Sequence, residues 1–120
     1  FLGFVNADEI SALYGMAQAM IMPVLMGPTF IPVYEAWHMS CPVIYSDIRG
    51  PREQAGDAAL LVNPHDPSDI AAKIKILYGN DALRQELIEK GKKRLSQWTW
   101  GDFCTSIKRT IDAFQKERSK

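Results

Sequence analysis

Three short apolar runs, each too brief for a helix and each bounded by turn formers, alternate along the chain with stretches of helical spacing. The runs are Ala19 to Val24, Pro42-Val43-Ile44-Tyr45-Ser46 and Ala58 to Val62. A continuous apolar run, rather than polar–apolar alternation, suits a strand buried on both faces of a parallel sheet. Ahead of the first run, Asn6-Ala7-Asp8-Glu9 resembles a capping box, and Ile10, Leu13, Tyr14 and Ala17 follow at helical spacing. They predict a helix at about 7–17. Ile31, Tyr34, Glu35 and His38 predict a second at about 31–40, with Pro32 in its first turn, where a missing N–H costs nothing. Gly50 and Pro51 break the chain, and Arg52 to Ala55 allow one helical turn before the third run.

Strand, helix, strand, helix, strand is the order of a parallel sheet with right-handed crossovers. Three helical patterns then follow with no strand between them. Asp66-Pro67 supplies an N-cap and a first-turn proline, ahead of the stripe Ile70, Ile74 and Leu77. Gly79-Asn80 closes that helix, and Leu83, Leu87, Ile88 and Leu95 mark the next. Phe103, Ile107, Ile111 and Phe114 share one face of the last, at about 101–117. The expected fold class is α/β, a Rossmann-like three-layer α/β/α domain with a parallel sheet and extra C-terminal helices. Ligands of such sheets bind at the carboxyl ends of the strands.

Composition narrows the function. The 120 residues carry 14 Lys plus Arg against 14 Asp plus Glu, which argues against a dedicated nucleic-acid binder. The length suits a single domain, residues 1–120. Cys41 and Cys104 are too few for a disulfide scaffold and read as buried or free thiols in a reducing, cytoplasmic setting. No run of 18 or more apolar residues is present. The start, Phe1-Leu2-Gly3-Phe4-Val5, reads as a chain cut in mid-fold rather than a signal peptide.

The junction Met26-Gly27-Pro28-Thr29-Phe30-Ile31-Pro32 leads from the first strand into a helix N-terminus. Such a junction offers free N–H groups and a positive dipole end to a phosphate or carboxylate. Pro28 and Pro32 cannot donate; Thr29, Phe30 and Ile31 can. Glu35 stands about one turn into the helix among apolar neighbours. It is either a partly exposed position favoured by the dipole, or a carboxylate accepting two hydrogen bonds from a vicinal diol such as ribose.

Several segments together resemble a known family. Pro32-Val33-Tyr34-Glu35-Ala36, Cys41-Pro42-Val43-Ile44-Tyr45-Ser46-Asp47, Gly50 with Glu53, and Gly56-Asp57-Ala58-Ala59-Leu60-Leu61-Val62-Asn63-Pro64 are similar to the C-terminal domain of retaining GT-B glycosyltransferases of bacterial polysaccharide and lipopolysaccharide synthesis. Phe1-Leu2-Gly3-Phe4-Val5 is similar to a strand end of that domain, Asp8-Glu9-Ile10 to Leu13-Tyr14 to its next helix, and Trp100 to a late Phe-Ser-Trp signal. The resemblance covers essentially the whole chain.

It implies a glycosyltransferase that moves a sugar from a nucleotide-sugar to an acceptor hydroxyl, with no cofactor and no metal. This chain would be the donor-binding part, paired with an N-terminal acceptor domain of the full-length chain. Thr29, Phe30 and Ile31 would approach the diphosphate or sugar, and Glu35 would hold the ribose hydroxyls. The family reads Glu-Gly-Phe-Gly-Leu-Pro where this chain reads Gly27-Pro28-Thr29-Phe30-Ile31-Pro32, so Gly27 replaces the first of two glutamates eight positions apart. No catalytic residue is assigned for that reason, and a non-catalytic transferase-like binding module is the alternative. The basic residues expected to clamp the diphosphate would lie upstream of Phe1, so the chain alone should not catalyse transfer.

Other residues have plainer readings. Arg49, where the family has a glycine, is either solvated or a partner for phosphate. Glu35 and His38 make a single Glu-x-x-His pair, whereas di-iron bundles need two on facing helices. No Cys-x-x-Cys or His cluster suggests zinc. Trp98 and Trp100 are expected to close the core between two helices. Lys90, Lys92, Lys93 and Arg94, with Lys108, Arg109, Lys116, Arg118 and Lys120, read as a solvated face. The sharper reading of that basic stretch is peripheral contact with anionic lipid at the inner face of the membrane.

Overall fold

Pairing of the three apolar runs builds the molecule. A computed structural model describes residues 1–27, 29–97 and 99–118. In it β1 (Met20–Met22), β2 (Val43–Ser46) and β3 (Leu60–Val62) form one parallel sheet in the order β1-β2-β3. Ile21 lies opposite Ile44, and Tyr45 opposite Leu61. Every residue of β2 is buried, as a two-sided strand requires. The other two strands are shorter than their apolar runs and only partly buried, because each lies at an edge of the sheet and is paired on one side.

Helices α1 (Ala7–Met16), α2 (Ile31–His38), α3 (Arg49–Ala55), α4 (Pro67–Tyr78), α5 (Asp81–Ser96) and α6 (Trp100–Arg118) complete the order. The capping box of α1 is formed. Glu9 N–H donates to Asn6 Oδ1 at 3.0 Å, and Asn6 N–H donates to Glu9 Oε2 at 2.8 Å. Asp66 caps α4 through Ser68 N–H, with Pro67 in the first turn as the sequence predicts. Beyond the single turn anticipated at 52–55, α3 begins at Arg49.

Alternate residues of β2 serve different layers. Val43 and Tyr45 pack with Val33, Ala36 and Trp37 of α2 and with Ala55 and Ala58. Ile44 packs with Val62, Leu77 of α4 and Leu87 of α5. Helix α5 also lies along α2, where Gly91 meets the Trp37 indole. Helices therefore cover both faces of the sheet, in the three-layer α/β/α arrangement. Cys41 is buried, burial pushing its thiol pKa up, while Cys104 is exposed; both are free.

Two expectations fail. Residues 1–5 form no strand, and Phe1, Leu2 and Phe4 are exposed, since no neighbouring strand offers them a ladder. Trp100 does not close the core. It is 76% exposed and stacks on Phe103 with centroids 5.3 Å apart, because α6 runs off the body of the domain. Phe103, Ile107, Ile111 and Phe114 do share a face of α6, but that face is exposed. Trp98 lies outside the described residues. No described helix is long and apolar enough to cross a membrane.

Candidate functional site

The carboxyl end of β1 is tied to its neighbours before the chain enters α2. Ser46, fully buried at the end of β2, donates its hydroxyl to Val24 O at 2.6 Å. Gln54 of α3 then grips Phe30 twice. Phe30 N–H donates to Gln54 Oε1 at 2.9 Å, and Gln54 Nε2 donates to Phe30 O at 2.8 Å. Tyr45 OH donates to the same Oε1 at 2.9 Å. The Phe30 amide, expected to face the ligand, is thus occupied inside the protein. Thr29 and Ile31 on either side of it are exposed. Ile31 opens α2, where first-turn N–H groups have no intrahelical acceptor, and Pro32 has none to offer.

Position 27 has a structural explanation for its glycine. Gly27 has φ +136°, and a Cβ there would collide with the Phe30 ring, Cε2 lying 2.7 Å away. The ring itself packs edge-on against Tyr45, with centroids 6.2 Å apart. Where the family resemblance leads one to expect glutamate at 27 and glycine at 30, this chain has the bulk at 30, filling the space above 27. Gly27→Glu should therefore cost about 1–3 kcal/mol from overpacking. In a double-mutant cycle by denaturant unfolding, the glutamate should cost less when Phe30→Gly has removed the ring. Strictly additive losses would show that the ring is not the obstacle.

Glu35 lies at an exposed position one turn into α2, against α1. Tyr14 OH donates to Glu35 Oε2 at 3.2 Å and also approaches Pro32 O at 3.4 Å. Partial burial, then the hydrogen bond and charge of Glu35, push the Tyr14 pKa up to about 12, so the phenol remains a donor at neutral pH. A cleft of about 490 Å³ opens beside this pair, with Ile10, Tyr34, His38 and Leu95 in its wall. A second, of about 450 Å³, lies on the other side against Leu13, Met20 and Pro32. Both are largely apolar with Glu35 at hand. A flat apolar group could pack in either while a polyol meets the carboxylate. Glu35 and His38 line one cleft, but no group of three metal-ligating side chains exists among the described residues.

The side chain of Arg49 is 94% exposed and reaches Glu53 at 3.4 Å, an ion pair of little energetic weight. Part of the basic run is paired within the fold. Lys90 meets Glu86 at 2.6 Å and Asp57 at 3.5 Å, and Lys92 meets Glu89 at 3.2 Å. Arg94 is half-buried. It donates Nε to Gln54 O at 3.1 Å and Nη2 to Glu53 O at 2.6 Å, satisfying carbonyls at the end of α3. Tyr14, Gln54 and Arg94 are the residues of this site that sequence reasoning passes over. Tyr14 reads there as one member of an apolar stripe, Gln54 as part of a helical turn and Arg94 as one of a run of cations.

The comparisons with known proteins bear on the family and the fold. The family model described as glycosyl transferases group 1 matches residues 1–94. The chain belongs to that family. O-antigen chain mannosyltransferase B of Escherichia coli is 29% identical over 115 residues, 96% of this chain and 29% of the relative. A sulfoquinovosyl transferase of Arabidopsis thaliana is 25% identical over 113 residues, 90% of this chain and 22% of the relative. Sucrose-phosphate synthase from Thermosynechococcus elongatus superposes with a TM-score of 0.80 at 21% identity, over 98% of this chain and 30% of that one. The family and this match support the GT-B-like fold. The chain spans less than a third of the length of each of these proteins.

Proposed function

We propose that the chain is the donor-binding part of a glycosyltransferase that carries a sugar from a nucleotide-sugar to an acceptor hydroxyl in glycan synthesis. One observation carries the reading. In a chain of this family, an open helix N-terminus at the carboxyl edge of the sheet is followed one turn later by Glu35, held at a cleft by Tyr14. Ile31 and Glu35 are separated by about 6 Å along the helix axis, so a ribose held at Glu35 can bring the distal phosphate of its diphosphate to the Ile31 amide.

The nucleoside packs in the cleft between α1 and α2, and its ribose hydroxyls donate to Glu35. The amides of Thr29 and Ile31 meet the diphosphate or sugar, with Phe30 between them shaping the loop. In the reaction the bond from the anomeric carbon to the diphosphate oxygen breaks, and a bond to the acceptor oxygen forms. The acceptor proton leaves with the diphosphate or solvent, and the anomeric configuration is retained. Negative charge grows on the leaving diphosphate, and oriented amides stabilise it without a metal. Basic residues upstream of Phe1 in the full-length chain complete that stabilisation, and the N-terminal domain presents the acceptor.

Gly27 favours a second reading, a module that binds a nucleotide-sugar without turnover, because a carboxylate expected beside the sugar is absent. A thermal-shift screen of the full-length protein against UDP-, GDP- and ADP-sugars tests the donor reading. One nucleotide class should raise the melting temperature by mass action. No shift with any of them overturns donor binding. Sugar transfer to an acceptor then separates the enzyme from the silent module.

A further inference from the structure

We propose that Gln54 is a positioning residue for the loop that receives the donor diphosphate. The proposal rests on the donor-binding reading above and names what holds that site in shape. Gln54 is 94% buried, and its three side-chain bonds converge on one place. Two of them take the N–H and the C=O of Phe30, as a neighbouring strand would. Their polarity fixes the amide without ambiguity. An N–H can only face Oε1, and a carbonyl can only face Nε2. Tyr45 OH occupies the second lone pair of Oε1 and holds the amide in that orientation.

The grip is anchored from behind. Arg94 of α5 donates to the main-chain carbonyls of Glu53 and Gln54, so α3 cannot shift away from the loop without breaking those bonds. A buried satisfied amide could serve stability alone. What marks Gln54 as more is its main target, since two of its three bonds go to the backbone of a loop residue 24 positions away. Holding residue 30 at both polar groups fixes the peptide planes on either side, and with them the N–H of Ile31. Catalytic and binding groups must be held this closely to act on a ligand.

Neither close relative in size reproduces the grip. Glutamate keeps the acceptor but presents a carboxylate to the Phe30 carbonyl. Methionine keeps the length and volume but offers neither bond. The test uses the full-length protein as wild type, Gln54→Glu, Gln54→Met and Leu87→Ala. Leu87 is buried in the other layer, so its variant is a destabilised control away from the loop. UDP, GDP and ADP are titrated calorimetrically, each beside its monophosphate.

For the nucleotide that wild type binds, both Gln54 variants should weaken the diphosphate roughly tenfold, the loss of one bond to a charged group. The monophosphate, held through Glu35, should bind as in wild type. Leu87→Ala should change neither. Gln54→Met carries no charge, so its loss cannot be repulsion of phosphate. The proposal is overturned if the Met variant binds diphosphate like wild type, or if both nucleotides weaken equally. Wild type that binds none of the three diphosphates overturns the donor-binding reading itself and this inference with it. The two failures are thereby distinguishable.

Discussion

Trp37→Ala should lower the stability of the protein by about 3–5 kcal/mol, the cost of emptying a large buried aromatic site. Trp37 is fully buried, donates Nε1–H to Ala58 O at 3.1 Å, and meets Tyr34 edge-on at 5.6 Å. It joins α2, the segment entering β3 and α5 at one point, so three elements lose a shared contact. Truncation also leaves a buried carbonyl without its donor. Against a typical domain stability of about 5–15 kcal/mol, that is a large share. Denaturant unfolding followed by circular dichroism should show a much lower midpoint. The converse substitution probes the same contact from the other side. A Cβ on Gly91 would stand 2.5 Å from Trp37 Cδ1, so Gly91→Ala should cost about 1–3 kcal/mol by overpacking. Loss below 1 kcal/mol for Trp37→Ala would mean that the indole is not the keystone of the α2–α5 contact.

Local chemistry made most of the fold legible. Strands were marked by apolar runs between turn formers, and α1 and α4 by Asn6 and Asp66, which do cap them. Asn80, read as the close of α4, also caps α5. The family resemblance came from the same segments. What escaped depends on contacts distant in sequence. Nothing around Gln54 reveals that its amide meets Phe30, because the pairing arises only when β1 and β2 lie side by side. Arg94 looks like its neighbours Lys92 and Lys93 until α5 docks against the end of α3. Gly27 reads as the loss of a carboxylate, and only the structure shows the Phe30 ring in the space above it. Trp100 failed in the opposite way. Its size predicts burial, but the face of α6 on which it stands is exposed.

Glu35→Ala in the full-length protein should raise the donor KM about tenfold or more, the loss expected when a carboxylate stops accepting two ribose hydrogen bonds. The structure supplies the accounting for those bonds. Tyr14 OH uses one acceptor position on Oε2, leaving Oε1 and a further lone pair for a vicinal diol. Removal of the carboxylate should act chiefly on KM, because the ribose is bound alike in ground and transition states. Glu35→Gln, which keeps one acceptor oxygen, should fall between wild type and alanine. Tyr14→Phe separates orientation from contact. It leaves the carboxylate in place but removes the donor that fixes Oε2, so its effect on KM should be smaller than that of alanine. Steady-state kinetics with the nucleotide-sugar found in the thermal screen decides among these. An unchanged KM for Glu35→Ala would remove Glu35 from the donor site and leave the α1–α2 cleft without its polar anchor.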